Sequence, residues 1–161
     1  MKKIIYFFLV LPALVLNSCN FSAGTKKDFT TGLSQTYNGF TVDEVLLVGP
    51  DNKVMSDNKA KLGTQIAIVI QGLANYELKD NKAYPGLALN VTDKQGNAML
   101  GSEDLFAKND GFSAADAAVL RGTVTIGAPM KTGETYHIKV HAWDKNKKEN
   151  ELTAEVDIQV E

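Results

Sequence analysis

Apolar and polar side chains alternate with a period of two along most of the chain beyond residue 27. Ile66, Ile68 and Ile70 share one parity against Gln65, Ala67, Val69 and Gln71, and Gly72 ends the run. Leu87, Leu89 and Val91 alternate with Ala88, Asn90 and Thr92, after which Asp93-Lys94-Gln95-Gly96-Asn97 turns the chain into Ala98-Met99-Leu100. Leu120, Val124 and Ile126 oppose Arg121, Thr123 and Thr125. Tyr136, Ile138, Val140 and Ala142 share the next face, and Leu152, Ala154, Val156, Ile158 and Val160 share the last, with the polar loop Lys145 to Asn150 between. Successive side chains of a strand point to opposite faces, so each run predicts a strand with one buried face. From Phe40 to Val48 the chain is apolar but Asp43-Glu44 breaks the alternation, which predicts a bulge or an edge strand, and Gly49-Pro50-Asp51-Asn52 predicts a turn. The one helical signal runs from Ser113 to Ala118, with Ser113 as cap and Asp116 as the answering acid.

Seven or eight short strands with at most one short helix, spread over residues 28–161, predict an all-β antiparallel β-sandwich, with an eight-stranded barrel as the alternative. Lys131-Thr132-Gly133-Glu134-Thr135-Tyr136 leads into a strongly alternating strand and resembles the tyrosine corner of immunoglobulin-like and fibronectin-like domains. The resemblance implies a sandwich in which the Tyr136 hydroxyl returns to nearby backbone.

The N-terminal segment follows a different pattern. Met1-Lys2-Lys3 precedes an apolar run from Ile4 to Leu16, which as a helix would be only ~20 Å long against the ~30 Å of a bilayer core. The order of charge, apolar run and small residues is that of a secretory signal. Leu16-Asn17-Ser18-Cys19 resembles the lipobox of bacterial lipoproteins, although Asn17 replaces the usual small residue. The resemblance implies a signal peptide over 1–18, removal of that peptide, and a diacylglycerol thioether on Cys19, so that the lipid bilayer is a partner through the acylated cysteine. An ordinary secretory signal or an uncleaved anchor would be built from similar residues. Residues 19–27, small and polar after the cysteine, read as a tether with a reach of roughly 15 Å. Asn20 stands where an inner-membrane retention signal would place Asp, and no acid precedes Asp28; by the same resemblance the protein is expected on the outer membrane, facing the periplasm.

Cys19 is the sole cysteine, so no intramolecular disulfide forms. The chain from residue 19 keeps 15 Lys and Arg against 19 acids, a formal charge of −4, without a basic stripe. That balance argues against a nucleic-acid partner.

Few residues suggest catalysis. His137 and His141 would lie about 13 Å apart along one strand face, too far to hold one metal ion together, so no metal and no cofactor is expected. Neither a Gly-x-Ser-x-Gly elbow nor a Gly-rich phosphate loop occurs. Asp93, Gln95, Asn97 and Asp104 occupy calcium-loop positions, but Ala98 stands where the loop needs Gly, so a plain hairpin turn is the reading. The pairs Asp43-Glu44 and Glu103-Asp104 read as solvated charges, because strand neighbours diverge. The loop acids Asp51, Asp57, Asp80 and Asp110 are the carboxylates a small envelope hydrolase would have to use, which is the rival reading.

The outward face of the strand from Tyr136 to Trp143 is the candidate binding surface. With Tyr136 and Ile138 inward, His137, Lys139, His141 and Trp143 point outward together and would suit a protein or glycan partner; alternatively Trp143 is covered by a loop or a neighbouring strand and Lys139 merely faces Glu155 or Asp157. Gly101 to Phe112, with Leu105, Phe106 and Phe112 among polar residues, reads as a crossover that either covers one end of the core, the preferred reading, or forms a binding edge. In the loop from Leu73 to Gly86, Tyr76 and Tyr84 serve either packing or recognition. The function expected is a non-catalytic binding or accessory module of the bacterial envelope, with no catalytic residues.

Overall fold

The computed structural model describes residues 22–161; the signal peptide over 1–18, Cys19 and the start of the tether lie outside the described residues. The described chain forms ten strands: β1 (Ala23–Lys27), β2 (Ser34–Asn38), β3 (Glu44–Val48), β4 (Lys59–Ala60), β5 (Gln65–Gln71), β6 (Pro85–Thr92), β7 (Ala98–Ser102), β8 (Val119–Thr125), β9 (Thr135–Asp144) and β10 (Glu151–Val160). One helical turn, α1 (Ala114–Ala117), precedes β8.

The strands divide into two sheets. The larger runs β1-β2-β10-β9-β6-β7, with β4 added in parallel beside the C-terminal end of β10, and the smaller runs β3-β5-β8. Two separate sheets, antiparallel apart from the β4 pairing, make this an all-β sandwich and not a closed barrel.

The alternating faces account for the packing. Tyr136, Ile138, Val140 and Ala142 of β9 are buried beside Leu152, Ala154, Val156, Ile158 and Val160 of β10. They belong to one core with Ile66, Ile68 and Ile70 of β5 and Leu120 and Val124 of β8. Gly122 occupies the inward position between these last two, and a Cβ there would come within 2.8 Å of Val140 Cγ2. The sheets close over that missing side chain, at a density that leaves no room for a methyl group. β5 departs from simple alternation: Ala67 and Val69, on its outward face, are also buried, against Val48 and Leu46 of β3. A central strand in a narrow sheet is covered by its neighbours' side chains as well as by the opposite layer.

Ten strands replace the seven or eight expected. β2, with the sequence Ser-Gln-Thr-Tyr-Asn, shows no apolar period, and β4 is two residues long. Ala23–Lys27, expected to be free tether, pairs in register with Ser34–Asn38. Composition marked it as polar linker, but an outer strand exposed to solvent is polar too, and only pairing distinguishes them. The edge position expected where Asp43-Glu44 breaks the pattern is met by β3, which starts at Glu44 on the rim of the smaller sheet.

Tyr136 is buried, and its hydroxyl oxygen accepts a hydrogen bond from Lys131 N–H at 2.9 Å, the corner geometry its sequence context suggested. At α1, the Ser113 hydroxyl accepts from Asp116 N–H at 3.1 Å and donates to Asp116 Oδ2 at 2.7 Å. This differs from the usual capping box, in which the acid reaches a backbone donor.

Candidate binding face

β9 lies in the interior of the larger sheet, between β10 and β6, so its outward residues have neighbours on both sides. His137 faces Asp157 and Thr92, Lys139 faces Glu155 and Asn90, His141 faces Thr153 and Ala88, and Trp143 faces Glu151 and Gly86. The four residues expected to point outward together do so, but they separate into two groups.

In the first group, His137 takes the carboxylates. Its Nδ1 lies 2.9 Å from Asp157 Oδ1 and its Nε2 3.6 Å from Glu155. Lys139 is opposite Glu155 in register, yet makes no ion pair among the described residues. In the second group, the His141 and Trp143 rings stack at 5.2 Å between centroids and 25° between planes. His141 Nε2 lies 3.1 Å from Glu151 Oε2.

Gly86 explains the position of the indole. A Cβ at this residue would collide with Trp143 Cε2, Cζ2 and Nε1, so the ring lies against the β6 backbone where a side chain is missing. Packing an aromatic ring over a strand glycine restores the apolar contact the glycine lacks. Trp143 is thereby half-buried against the neighbouring strand β6, and Lys139 stands opposite Glu155, as the alternative reading of this face expected.

His141 and Trp143 line an open groove of about 420 Å³ with Ala88 and the charged residues Glu103, Lys145, Lys148 and Glu151. Sequence reasoning missed these charged residues because Lys145 to Lys148 reads as a solvated turn and Glu103 as a solvated acid. The available signal was Gly86, a glycine at a strand position that the register sets beside the only tryptophan.

One groove wall is braced from below. Lys145 Nζ is 2.7 Å from Asp104 Oδ2 and donates to the Phe106 carbonyl at 2.9 Å. The same carboxylate accepts from Leu87 N–H at 3.2 Å and Phe106 N–H at 2.8 Å. Burial pushes the Asp104 carboxyl upward, but the Lys145 ammonium and the two backbone donors outweigh it and hold the group below the usual carboxylate range. Glu103 and Asp104 thus diverge, one into the groove and one beneath it. Phe106 packs on the core and meets Phe112 edge to face at 5.2 Å, so the crossover covers one end of the sandwich as expected.

Of the other candidates, Asp93, Asp57 and Tyr76 have structural roles. Asp93 accepts from Gln95 N–H, Asn97 N–H and Asn97 Nδ2 at 2.8–2.9 Å, and its carboxyl is held low chiefly by the Asn97 side chain. This is a hairpin turn between β6 and β7, with Asp104 engaged elsewhere. Asp57 accepts from Lys59 N–H at 3.0 Å. Among the described residues, no three His, Cys, Asp or Glu side chains are grouped to hold a metal ion. Tyr76 packs: its ring meets Phe40 edge to face at 4.9 Å, its hydroxyl donates to the Ala117 carbonyl at 3.1 Å, and burial drives its pKa well above the usual phenol value.

The fold and the groove define a β-sandwich with an aromatic-floored surface site. No protein-family model matches the chain, and no curated protein matches it.

Proposed function

We propose that the protein is a non-catalytic binding module of a bacterial cell envelope, held on the outer membrane by acylated Cys19 and turning the Trp143 face of its larger sheet toward its ligand. The observation that carries the binding reading is the His141–Trp143 stack set over Gly86 at an open groove in the middle of a sheet. An aromatic surface left half-exposed on a soluble face is a feature of recognition sites. The anchor reading is supported by Leu16-Asn17-Ser18-Cys19 after a short apolar run. With β1 beginning at Ala23, only residues 20–22 would separate the acylated cysteine from the first strand, a shorter link than composition suggested.

The test is fractionation of cells expressing the wild type or Cys19→Ala, with mass spectrometry of the membrane-extracted protein. Wild type is expected in the outer-membrane fraction carrying acyl mass on an N-terminal cysteine, because two or more chains make attachment stable where one is marginal. Cys19→Ala is expected to lose that attachment. A Cys19→Ala protein that remains equally membrane-bound refutes the anchor.

A further inference from the structure

The groove beside Trp143 narrows the chemistry of what binds there. β9 is paired along its length with β10 and β6, and where β7 stops pairing with β6 beside the groove, Leu87 N–H donates to Asp104 Oδ1 and the Leu87 carbonyl accepts from Leu105 N–H, so these backbone groups are already taken. A peptide that recognises a sheet by extending it needs a free edge, which this position does not offer. Recognition therefore falls to side chains: an aromatic floor and four charged residues. Two of these, Glu103 and Glu151, are negative and two, Lys145 and Lys148, are positive. The carboxylates repel an anion and the ammonium groups repel a cation, so the balance favours a neutral ligand.

The polar groups also differ in availability. Lys145 is held by Asp104 and the Phe106 carbonyl, and Glu151 by His141. Glu103 and Lys148 make no ion pair among the described residues. The groove thus offers a flat aromatic surface, one free carboxylate acceptor and one free ammonium donor in about 420 Å³, within the ~300–1,000 Å³ of small-ligand sites. A molecule with an apolar face of C–H groups and a rim of hydroxyls that both donate and accept, without net charge, complements all three.

We infer that this groove binds a neutral saccharide, stacked on Trp143 with its hydroxyls held by Glu103 and Lys148. The inference rests on the binding-module reading above and gives that module its ligand class.

The only tryptophan of the chain is the floor of the site, so its fluorescence reports occupancy directly. The mature lipidated protein, in a detergent without a sugar headgroup, is titrated with neutral oligosaccharides of glucose, mannose, galactose and N-acetylglucosamine. Calorimetry provides the parallel measurement for variants without the indole. At least one series is expected to give a saturable emission shift with matching heat. Trp143→Ala is expected to weaken that binding by about tenfold or more, and Glu103→Gln, a surface change that leaves the fold intact, by a few-fold. Thermal melts confirm that each variant is folded. The inference is overturned if no series saturates, if folded Trp143→Ala binds as well as wild type, or if tetramethylammonium or an acidic oligosaccharide saturates the site where neutral sugars do not. Any of these results leaves the Cys19 fractionation untouched, so failure of the saccharide is distinguishable from failure of the anchor. Cleavage of a bound neutral oligosaccharide would support this ligand class while overturning the non-catalytic reading.

Discussion

β9 carries two aromatic residues, Tyr136 near its start and Trp143 near its end, and they serve opposite purposes. They stand seven positions apart, an odd interval, so they face opposite sides of the sheet. Tyr136 is 4% exposed, packs in the core and returns its hydroxyl to Lys131. Trp143 lies on the outward face, one side against Gly86 and the groove beside it. The inward ring is secured by the layer packed over it and by a backbone donor; the outward ring is held by a missing side chain and a stacked histidine. The same residue class on the same strand thus becomes buried framework or half-exposed surface according to parity.

This contrast is tested first by removing the framework ring. Tyr136→Ala should lower stability by about 3–5 kcal/mol, the usual cost of emptying a buried aromatic site. Urea denaturation followed by circular dichroism measures it, and a loss no greater than that of an outward substitution would refute the division. Asp144, next to Trp143 but on the inward side and fully buried, accepts from Glu77 N–H at 2.7 Å and Asn146 N–H at 2.9 Å. Asp144→Ala strands both donors and should cost about 2–3 kcal/mol in the same measurement. Trp143→Ala, one position away, should cost only about 1 kcal/mol, because the ring is half-covered and leaves no enclosed cavity.

Smaller effects sharpen the comparison. Gly86→Val should displace the indole from the β6 backbone and red-shift its emission, with an unchanged spectrum counting against the ring's seat. At Asp104, folding holds the carboxyl below its ordinary value of 3.8. A depressed folded pKa means that its contribution is complete above the unfolded value and is lost as pH falls through the folded one. The stability advantage of wild type over Asp104→Asn should therefore be complete near neutral pH and shrink as pH falls through and below the ordinary carboxylate range, and a constant gap would show that the charge contributes nothing.

Legibility followed the strength of local patterning. β5, β6, β8, β9 and β10 were visible because each repeats an apolar parity over several residues, and the Tyr136 corner was visible because a short turn fixes it locally. β1 and β2 were not: β1 is a polar strand on the rim of the sheet and shares its composition with a linker, and β2, paired on both sides, carries the non-alternating sequence Ser-Gln-Thr-Tyr-Asn. Of the candidate site, the outward grouping of His137, Lys139, His141 and Trp143 follows from parity alone. Parity does not reveal that His137 gathers Asp157 and Glu155 while His141 stacks on Trp143.

By itself the sequence determined that the chain beyond the tether is built of β-strands and which side of β9 meets the core, because both depend on a period carried within each strand, whereas the choice of sandwich over barrel rests on how the strands pair. It also carries the Leu16-Asn17-Ser18-Cys19 pattern, whose reading depends on local order alone. Only the tertiary structure decided which strands lie side by side, and with that how the groove is assembled. His141, Trp143, Lys145, Lys148 and Glu151 belong to one hairpin, but Gly86, Ala88 and Glu103 reach them only through pairing and packing between strands distant along the chain. Register is set by the sum of many weak long-range contacts and is recorded in no single segment.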